Sequence, residues 1–157
     1  MLVKTVLDKK GFDVFSVLPE DTILTVLKIF SIKKIGFSIV GDPLSNIEGT
    51  VSERDICQAL AGGAHRDTII KDVMTLDFAT CSLEDNLAKV MALMTEHRTR
   101  HVLVYNGTDI RGIISIGDVV KHRLDETLRD EVAMRQYIEG TGYSYLAETK
   151  LYPEEQE

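Results

Sequence analysis

Two pairs of serine and aspartate, each pair three residues apart, are the side chains in this sequence best suited to chemistry. They are Ser52 with Asp55 and Ser115 with Asp118, and both stand where a predicted strand gives way to a predicted helix. A serine there can cap the helix, and an aspartate one turn in can accept hydrogen bonds from both hydroxyls of a ribose. Free N–H groups at the start of a helix also favour phosphate. The pattern therefore indicates a site for a phosphorylated sugar.

A plainer interpretation stands beside this one. Either aspartate, taken alone, is equally well explained as a solvated first-turn residue that complements the helix dipole. Neither serine lies in a nucleophile-elbow pattern, and the histidines show no metal-ligand spacing. Cys57 and Cys81 show neither metal nor redox spacing. We therefore predict no catalytic residue, no metal site and two reduced thiols.

The two pairs belong to an internal repeat, which determines the elements that position them. Ile47–Ile56 and Ile110–Val119 both read apolar, x, Gly, x, apolar, Ser, x, x, Asp, apolar. The match continues upstream at an offset of 64 positions, which drops to 63 after a loop that is one residue shorter in the second copy. A repeat that keeps its periods and varies at a loop indicates structural duplication.

The pattern of apolar and turn-forming residues in each copy predicts the order β-α-β-β-α. One copy buries too little core to be stable alone, so we expect an α/β (α+β) fold in which two copies pack through their sheets in a pseudo-two-fold arrangement. The expected domains are 1–70, the first repeat with an N-terminal lead-in helix; 71–125, the second repeat; and 126–157, a C-terminal helix with an acidic tail. The predicted elements are a helix at Val3–Asp8, a strand at Val14–Leu18, a helix at Asp21–Ser31, strands at Phe37–Val40 and Ile47–Val51, a helix at Ser52–Ala61, a helical turn within Asp67–Met74, a strand at Phe78–Cys81, a helix at Asp85–Glu96, strands at His101–Tyr105 and Ile110–Ser115, and a long helix from Ile116 to about Gly140.

Composition limits the partners. The chain has 157 residues, a net charge of −7, 44% hydrophobic and 27% charged residues, which is ordinary for a globular protein. The acidic balance argues against nucleic acid and against an anionic membrane as partners, but it leaves room for a small anion in a local basic pocket. No apolar run is long enough to span a bilayer and no signal peptide is visible. We therefore expect a cytoplasmic protein.

The duplicated signature resembles the CBS domain family, whose members occur as tandem pairs called Bateman modules. The resemblance covers about residues 5–140. Three segments look particularly like the small stand-alone CBS-pair proteins: Val51–Asp55, Met94–His101 and Ser115–Asp118. It implies a non-catalytic regulatory module that binds AMP, ADP or ATP between the repeats, senses energy state, signals to an unidentified protein partner and forms a homodimer. The alternatives are S-adenosylmethionine or NAD as ligand, a structural dimerisation module with vestigial clefts, and a small enzyme acting on nucleotides.

The resemblance also implies two nucleotide clefts. The first would hold Asp118, Ser115, Ile113, Arg100 and His101, with the backbone of Ser16, Val17 and Leu18 against the adenine. The second would hold Asp55, Ser52, Arg54 and Thr50, with Cys81 and Ser82 near the base. Copy one has Gly36 and Phe37 where copy two has Arg100 and His101, so we expect the Asp118 cleft to be preferred.

Helix patterning gives a further argument for a homodimer. Two helices each carry an apolar stripe, Ile23/Val26/Phe30 and Leu87/Val90/Met94. Both stripes cannot face one small core, so we expect part of this surface to be exposed and to mediate self-association.

Overall fold

The computed structural model describes residues 1–140, so the predicted acidic tail from residue 141 lies outside the described residues. Two copies of the order β-α-β-β-α follow one another, and a long helix ends the described chain, as predicted. The elements are α1 (Val3–Lys10), β1 (Ser16–Val17), α2 (Ile23–Lys33), β2 (Phe37–Asp42), β3 (Asn46–Ser52), α3 (Glu53–Ala61), a short 3-10 turn (Ile70–Asp72), β4 (Thr80–Ser82), α4 (Leu87–Glu96), β5 (His101–Asn106), β6 (Asp109–Ser115) and α5 (Ile116–Gly140).

The strands form two three-stranded sheets of the same topology, β1-β2-β3 and β4-β5-β6. In each sheet the first strand pairs parallel to the second, and the second pairs antiparallel to the third. A register shift interrupts each hairpin at the same place, after Val40 in one copy and after Val104 in the other. The duplication therefore extends to the irregularities of the backbone.

The two sheets face each other across a core of their own. Phe37, Ile39 and Leu103 are its buried residues, and Tyr105 and Ile113 are among the partly buried side chains packed against them. Residues from both copies contribute, which is how two small repeats share one interior. This contact confirms that the copies pack through their sheets.

Each repeat also has a helical core, and the segment that precedes one repeat completes the core of the other. From α1, Val3, Val6 and Leu7 are fully buried in the cluster that contains the helix α4 of the second repeat. From the 3-10 turn, Ile70 is fully buried in the cluster that contains the helix α2 of the first. The sequence grouped α1 with repeat one, whereas its packing partners belong to repeat two.

This exchange of lead-in segments corrects the argument made for a dimer. All six residues of the two apolar stripes are buried: Ile23, Val26, Phe30, Leu87, Val90 and Met94. They need no second copy to cover them, because each repeat has its own helical core in addition to the shared core between the sheets.

The chain forms two compact units, residues 1–119 and the part from Val120 onward. Within the second unit, α5 carries exposed apolar residues at every fourth position, which we call the α5 stripe: Val120, Leu124, Leu128 and Val132. Steps of four residues keep these side chains on one side of a helix. No helix among residues 1–140 has both the length and the apolar character needed to cross a membrane.

Candidate functional site

The Asp55 carboxylate is held at the start of α3 by the residue that caps the helix. Its Oδ2 atom accepts hydrogen bonds from the backbone N–H of Ser52 and from the Ser52 hydroxyl, both at 2.7 Å. Ser52 Oγ in turn accepts the Asp55 N–H at 3.2 Å, which completes a capping box. The other carboxylate oxygen of Asp55, Oδ1, accepts one hydrogen bond within the described residues, from the Thr75 hydroxyl at 3.1 Å. A neutral hydroxyl is thus the neighbour of the oxygen that a ribose would approach.

Thr75 reaches Asp55 because the chain after the 3-10 turn runs against β3. Thr50 and Thr75 exchange two backbone hydrogen bonds of 2.9 and 2.8 Å. The neighbouring Gly49 makes this approach feasible, since a Cβ there would lie 2.7 Å from the Thr75 carbonyl oxygen and 2.9 Å from the Met74 sulfur. The glycine of the repeated phrase is therefore required by a close contact between the repeats.

A cavity opens beside this carboxylate, between the two repeats. It contains about 90 Å³ of free space and continues into an outer groove of about 660 Å³. Ligand sites for small molecules typically measure about 300–1,000 Å³, so a nucleotide would occupy the inner cavity with one part and the groove with the rest. The residues that line both spaces are Arg54, Arg98, Thr99 and Arg100.

Three arginines give the passage between cavity and groove a positive lining. Arg54 belongs to α3, whereas Arg98 and Arg100 lie in the turn that leads into β5. Arg98 adopts a left-handed conformation with φ 50°, and its carbonyl oxygen accepts a 2.9 Å hydrogen bond from the Arg54 guanidinium. Guanidinium groups bind phosphate in a bidentate manner, so the lining suits a phosphorylated ligand.

His101 forms part of the cavity wall in its neutral form. Its ring stacks on Phe37 with centroids 4.4 Å apart. Burial, and then the charges of Arg100 and Lys10, lower the pKa of His101 from 6.5 to about 4, against an opposing effect of Asp118. The ring therefore contributes hydrogen bonding and aromatic surface at neutral pH, rather than charge.

Asp118 has the same serine partner but a different third neighbour. Ser115 donates its N–H and its hydroxyl to Oδ2 of Asp118, both at 2.8 Å. The ammonium of Lys10, at the end of α1, lies 2.6 Å from the same oxygen. Burial raises the pKa of Asp118, but the hydrogen bonds from Lys10 and Ser115 outweigh it, and the net pKa is lowered. The carboxylate is therefore ionised and paired with a cation of the chain itself.

Arg100 and His101, which were expected in the cleft of Asp118, lie near both aspartates. Both line the cavity of Asp55. His101 also pairs with Ser115 in the β5–β6 hairpin, and the Arg100 carbonyl oxygen accepts the Ile116 N–H at the start of α5. Gly36 stands at the position equivalent to Arg100, and the Glu53 carboxylate covers it, since a Cβ there would lie 3.0 Å from Oε2. Arg100 and His101 therefore do not by themselves distinguish the two clefts.

The remaining residues expected at the two clefts are distributed as follows. The side chains of Val17 and Cys81 lie in the helical cores, so only their backbone is available to a ligand. Burial raises the pKa of Cys81 to about 12, aided by the charge of Asp85 and opposed by Lys89, which keeps the thiol protonated. Leu18 is 61% exposed, and Thr50 lines the Asp55 cavity. The other three residues are held by the backbone or by local hydrogen bonds: Ser16 pairs with Ile39, Ser82 donates its N–H to Asp85, and the carbonyl oxygen of Ile113 accepts a hydrogen bond from Lys10.

Several residues of the cavity wall were missed by the sequence reasoning, three of them in the segment after the 3-10 turn. Thr75, Asp77 and Phe78 lie just before β4, whereas the strand itself, at Cys81 and Ser82, was expected to face the base. A partial signal existed, because the repeat places an equivalent lead-in segment before β1. Nothing in residue type, however, distinguishes Thr75 as a partner of Asp55. Among the described residues, no group of three or more His, Cys, Asp or Glu side chains is arranged to hold a metal ion.

Comparison with known proteins agrees with this architecture. The family model named CBS domain matches residues 3–62 and again residues 70–125. The CBS domain-containing protein CBSX3, mitochondrial, of Arabidopsis thaliana is 29% identical over 130 residues, which cover 79% of this chain. The chain spans only 63% of the length of that relative.

Solved structures give the same result. The CBS-domain containing protein ATU1752 of Agrobacterium tumefaciens is 37% identical, with a TM-score of 0.74, and the match covers 78% of this chain and 99% of that one. The CBS domain pair of protein MJ0100, solved in complex with 5′-methylthioadenosine and S-adenosyl-L-methionine, is 20% identical with a TM-score of 0.69, covering 80% of this chain and 98% of that one; at this identity it shows the fold. With two family matches that account for most of its length, the chain belongs to the CBS domain family, as a tandem pair whose role is that of a regulatory module.

Proposed function

We propose that this chain is a non-catalytic module that binds an adenine nucleotide, AMP, ADP or ATP, in the cavity at Asp55 and reports the energy state of the cell to a protein partner. The observation that carries the proposal is the arrangement around that cavity. A capped carboxylate, whose Oδ1 has a neutral hydroxyl as its described neighbour, shares a cavity with Arg54 of its own repeat and with Arg98 and Arg100 of the other.

Each group has a part in binding. The Asp55 carboxylate accepts hydrogen bonds from the ribose hydroxyls, with the Thr75 hydroxyl turning aside or sharing Oδ1. The guanidinium groups of Arg54, Arg98 and Arg100 bind the phosphates. Phe78 and Ala79 supply apolar surface for the base. The adenosyl ligands of MJ0100, a protein of the same fold, support the choice of this ligand class.

The regulatory part of the proposal follows from where the groups come from. Asp55 and Arg54 belong to the first repeat, whereas Thr75, Arg98 and Arg100 belong to the second. A ligand that contacts both repeats stabilises one relative packing of the two over others, and a partner that recognises that packing senses the ligand. The proposal places the module in the cytoplasm as a homodimer.

Titration calorimetry with AMP, ADP, ATP, S-adenosylmethionine and NAD tests the proposal. We expect an adenine nucleotide to bind wild-type protein, and Asp55→Asn to weaken its affinity at least tenfold, because the ribose loses a charged acceptor worth about 1.4 kcal/mol or more. The asparagine oxygen can still accept from Ser52, so the helix cap is kept. Asp109→Asn, which removes the same charge from an exposed hairpin, serves as the matched control and should bind as wild type does.

Three results would contradict the proposal. If none of the five ligands binds while light scattering gives a stable dimer, the module is structural. If S-adenosylmethionine or NAD binds and the nucleotides do not, the ligand class is wrong. If a nucleotide is converted to product by protein free of contaminating hydrolase, the module is an enzyme.

A further inference from the structure

Lys10 occupies the carboxylate that the second cleft would offer to a ligand. Its ammonium lies 2.6 Å from Oδ2 of Asp118 and 2.9 Å from the carbonyl oxygen of Ile113. The same Oδ2 already accepts two hydrogen bonds from Ser115. The Lys10 side chain is 39% exposed and that of Asp118 only 20%, so the cation is the more exposed member of the pair.

The position of Lys10 is determined by the packing of α1. Val6 and Leu7 are fully buried in the core of the second repeat, and Leu7 fits against Gly112, where a Cβ would lie 3.0 Å from its methyl group. Gly11, at φ 101°, ends the helix immediately after Lys10, and its N–H donates to the Leu7 carbonyl oxygen. The backbone that carries Lys10 is therefore anchored on both sides of the lysine.

The lead-in segment of the second repeat carries an acidic residue where the first carries this cation. Leu7 packs against Gly112 as Met74 packs against Gly49, so the two segments correspond at an offset of 67 positions and Lys10 corresponds to Asp77. The segment of repeat two brings the Thr75 hydroxyl to Asp55, whereas that of repeat one brings an ammonium to Asp118. A ribose hydroxyl therefore shares Asp55 with a neutral donor, but at Asp118 it competes with a charged donor, whose hydrogen bonds to carboxylate are the stronger kind.

We propose that the Lys10 ammonium takes the place of a ligand at Asp118 in the second cleft. The chain then binds one nucleotide, at Asp55. The inference rests on the proposed function, because it states which of two related clefts that function uses. Removal of the Lys10 charge makes the Asp118 carboxylate available and gives a second nucleotide site.

Binding stoichiometry, measured by calorimetry with AMP and with ATP, tests the proposal. We expect one nucleotide per wild-type chain, two per Lys10→Met chain, which lacks the charge, and one per Lys10→Arg chain, which keeps the cation. Two sites in wild type, or one site in a folded Lys10→Met variant, would overturn the role of Lys10 and leave the proposed function standing. Binding of neither nucleotide to any of the three proteins would instead defeat the proposed function, and the inference with it.

A second measurement needs no change at Lys10. Trace acetylation of wild-type protein, read by peptide mass spectrometry, compares Lys10 with the exposed neighbour Lys9. We expect Lys10 to react at least threefold more slowly than Lys9, and this difference in rate to persist at saturating AMP. In the Asp118→Asn variant we expect the difference to disappear. Equal reactivity of the two lysines in wild type, or release of Lys10 by AMP, would overturn the proposal.

Discussion

His101 is a residue whose pKa differs between the unfolded chain and the fold. Its alternating position in β5 indicates an inward side chain, and its ring lies between the sheets against Phe37. The sequence suggested a cation at this position. Burial makes it a neutral ring, with a pKa of about 4, because charging an imidazole in a partly desolvated site next to Arg100 is unfavourable. Residue type alone could not distinguish these two states.

The pKa of His101 predicts a dependence of stability on pH. Above pH 6.5 the ring is neutral in both states, so its contribution to folding is complete. Between pH 6.5 and about 4 the unfolded chain takes up a proton that the folded one does not, so stability falls as the pH falls. We expect wild type to lose roughly 2 kcal/mol between pH 7 and pH 5 relative to His101→Gln, in guanidinium unfolding at each pH. A difference between the two proteins that does not vary with pH would contradict this assignment.

At the scale of elements, the exchange of lead-in segments is the feature that the repeat did not reveal. The bounds of the helices and strands followed closely from periodicity and caps: α3, predicted from Ser52 to Ala61, begins one residue later, because Ser52 is its N-cap. The partner of α1 could not be predicted, since an amphipathic helix of eight residues shows which of its faces is buried but not against what. This is also why Thr75 and Lys10 were not expected beside the two aspartates.

The two glycines of the repeated phrase offer a test of this exchange. A Cβ on Gly49 would meet the Thr75 carbonyl oxygen at 2.7 Å, which is backbone, whereas a Cβ on Gly112 would meet only the methyl groups of Leu7 at 3.0 Å, which can turn. We expect Gly49→Ala to cost about 2 kcal/mol or more and Gly112→Ala about 1 kcal/mol, measured by chemical denaturation. Equal losses of stability, or a larger loss for Gly112→Ala, would show that the Met74–Thr75 segment does not pack closely against Gly49.

At the scale of the whole molecule, the duplication accounts for most of what the sequence could establish. It predicted the order of elements in each copy, two packed sheets and a common interior, because those follow from repeated periods and from the small core of one copy. It did not identify a surface for the proposed self-association. The stripes on α2 and α4 are buried, whereas the exposed α5 stripe, Val120 to Val132, begins after the repeated phrase, which ends at Val119.

The proposed homodimer can therefore be tested on α5. Leu124 and Leu128 are 57% and 50% exposed, and a contiguous apolar face of this kind indicates a contact surface. We expect light scattering to give about twice the 17.6 kDa of one chain, and Leu124→Glu with Leu128→Glu to lower it to the monomer. Ala133→Glu, at an exposed position on the opposite face of the same helix, should leave the dimer intact. A dimer that survives the paired substitution would exclude this stripe as its interface.

The crossed lead-in segments also determine when the protein can fold during its synthesis. The helix α1 is made first, but the residues that bury Val3, Val6 and Leu7 extend to Val119, so its apolar face stays uncovered until nearly the whole CBS pair has left the ribosome. The first repeat, in contrast, is complete once Ile70 and Met74 have emerged. Nascent chains thus pass through a stage with one finished repeat and one bare helix, the kind of exposed apolar surface that chaperones recognise.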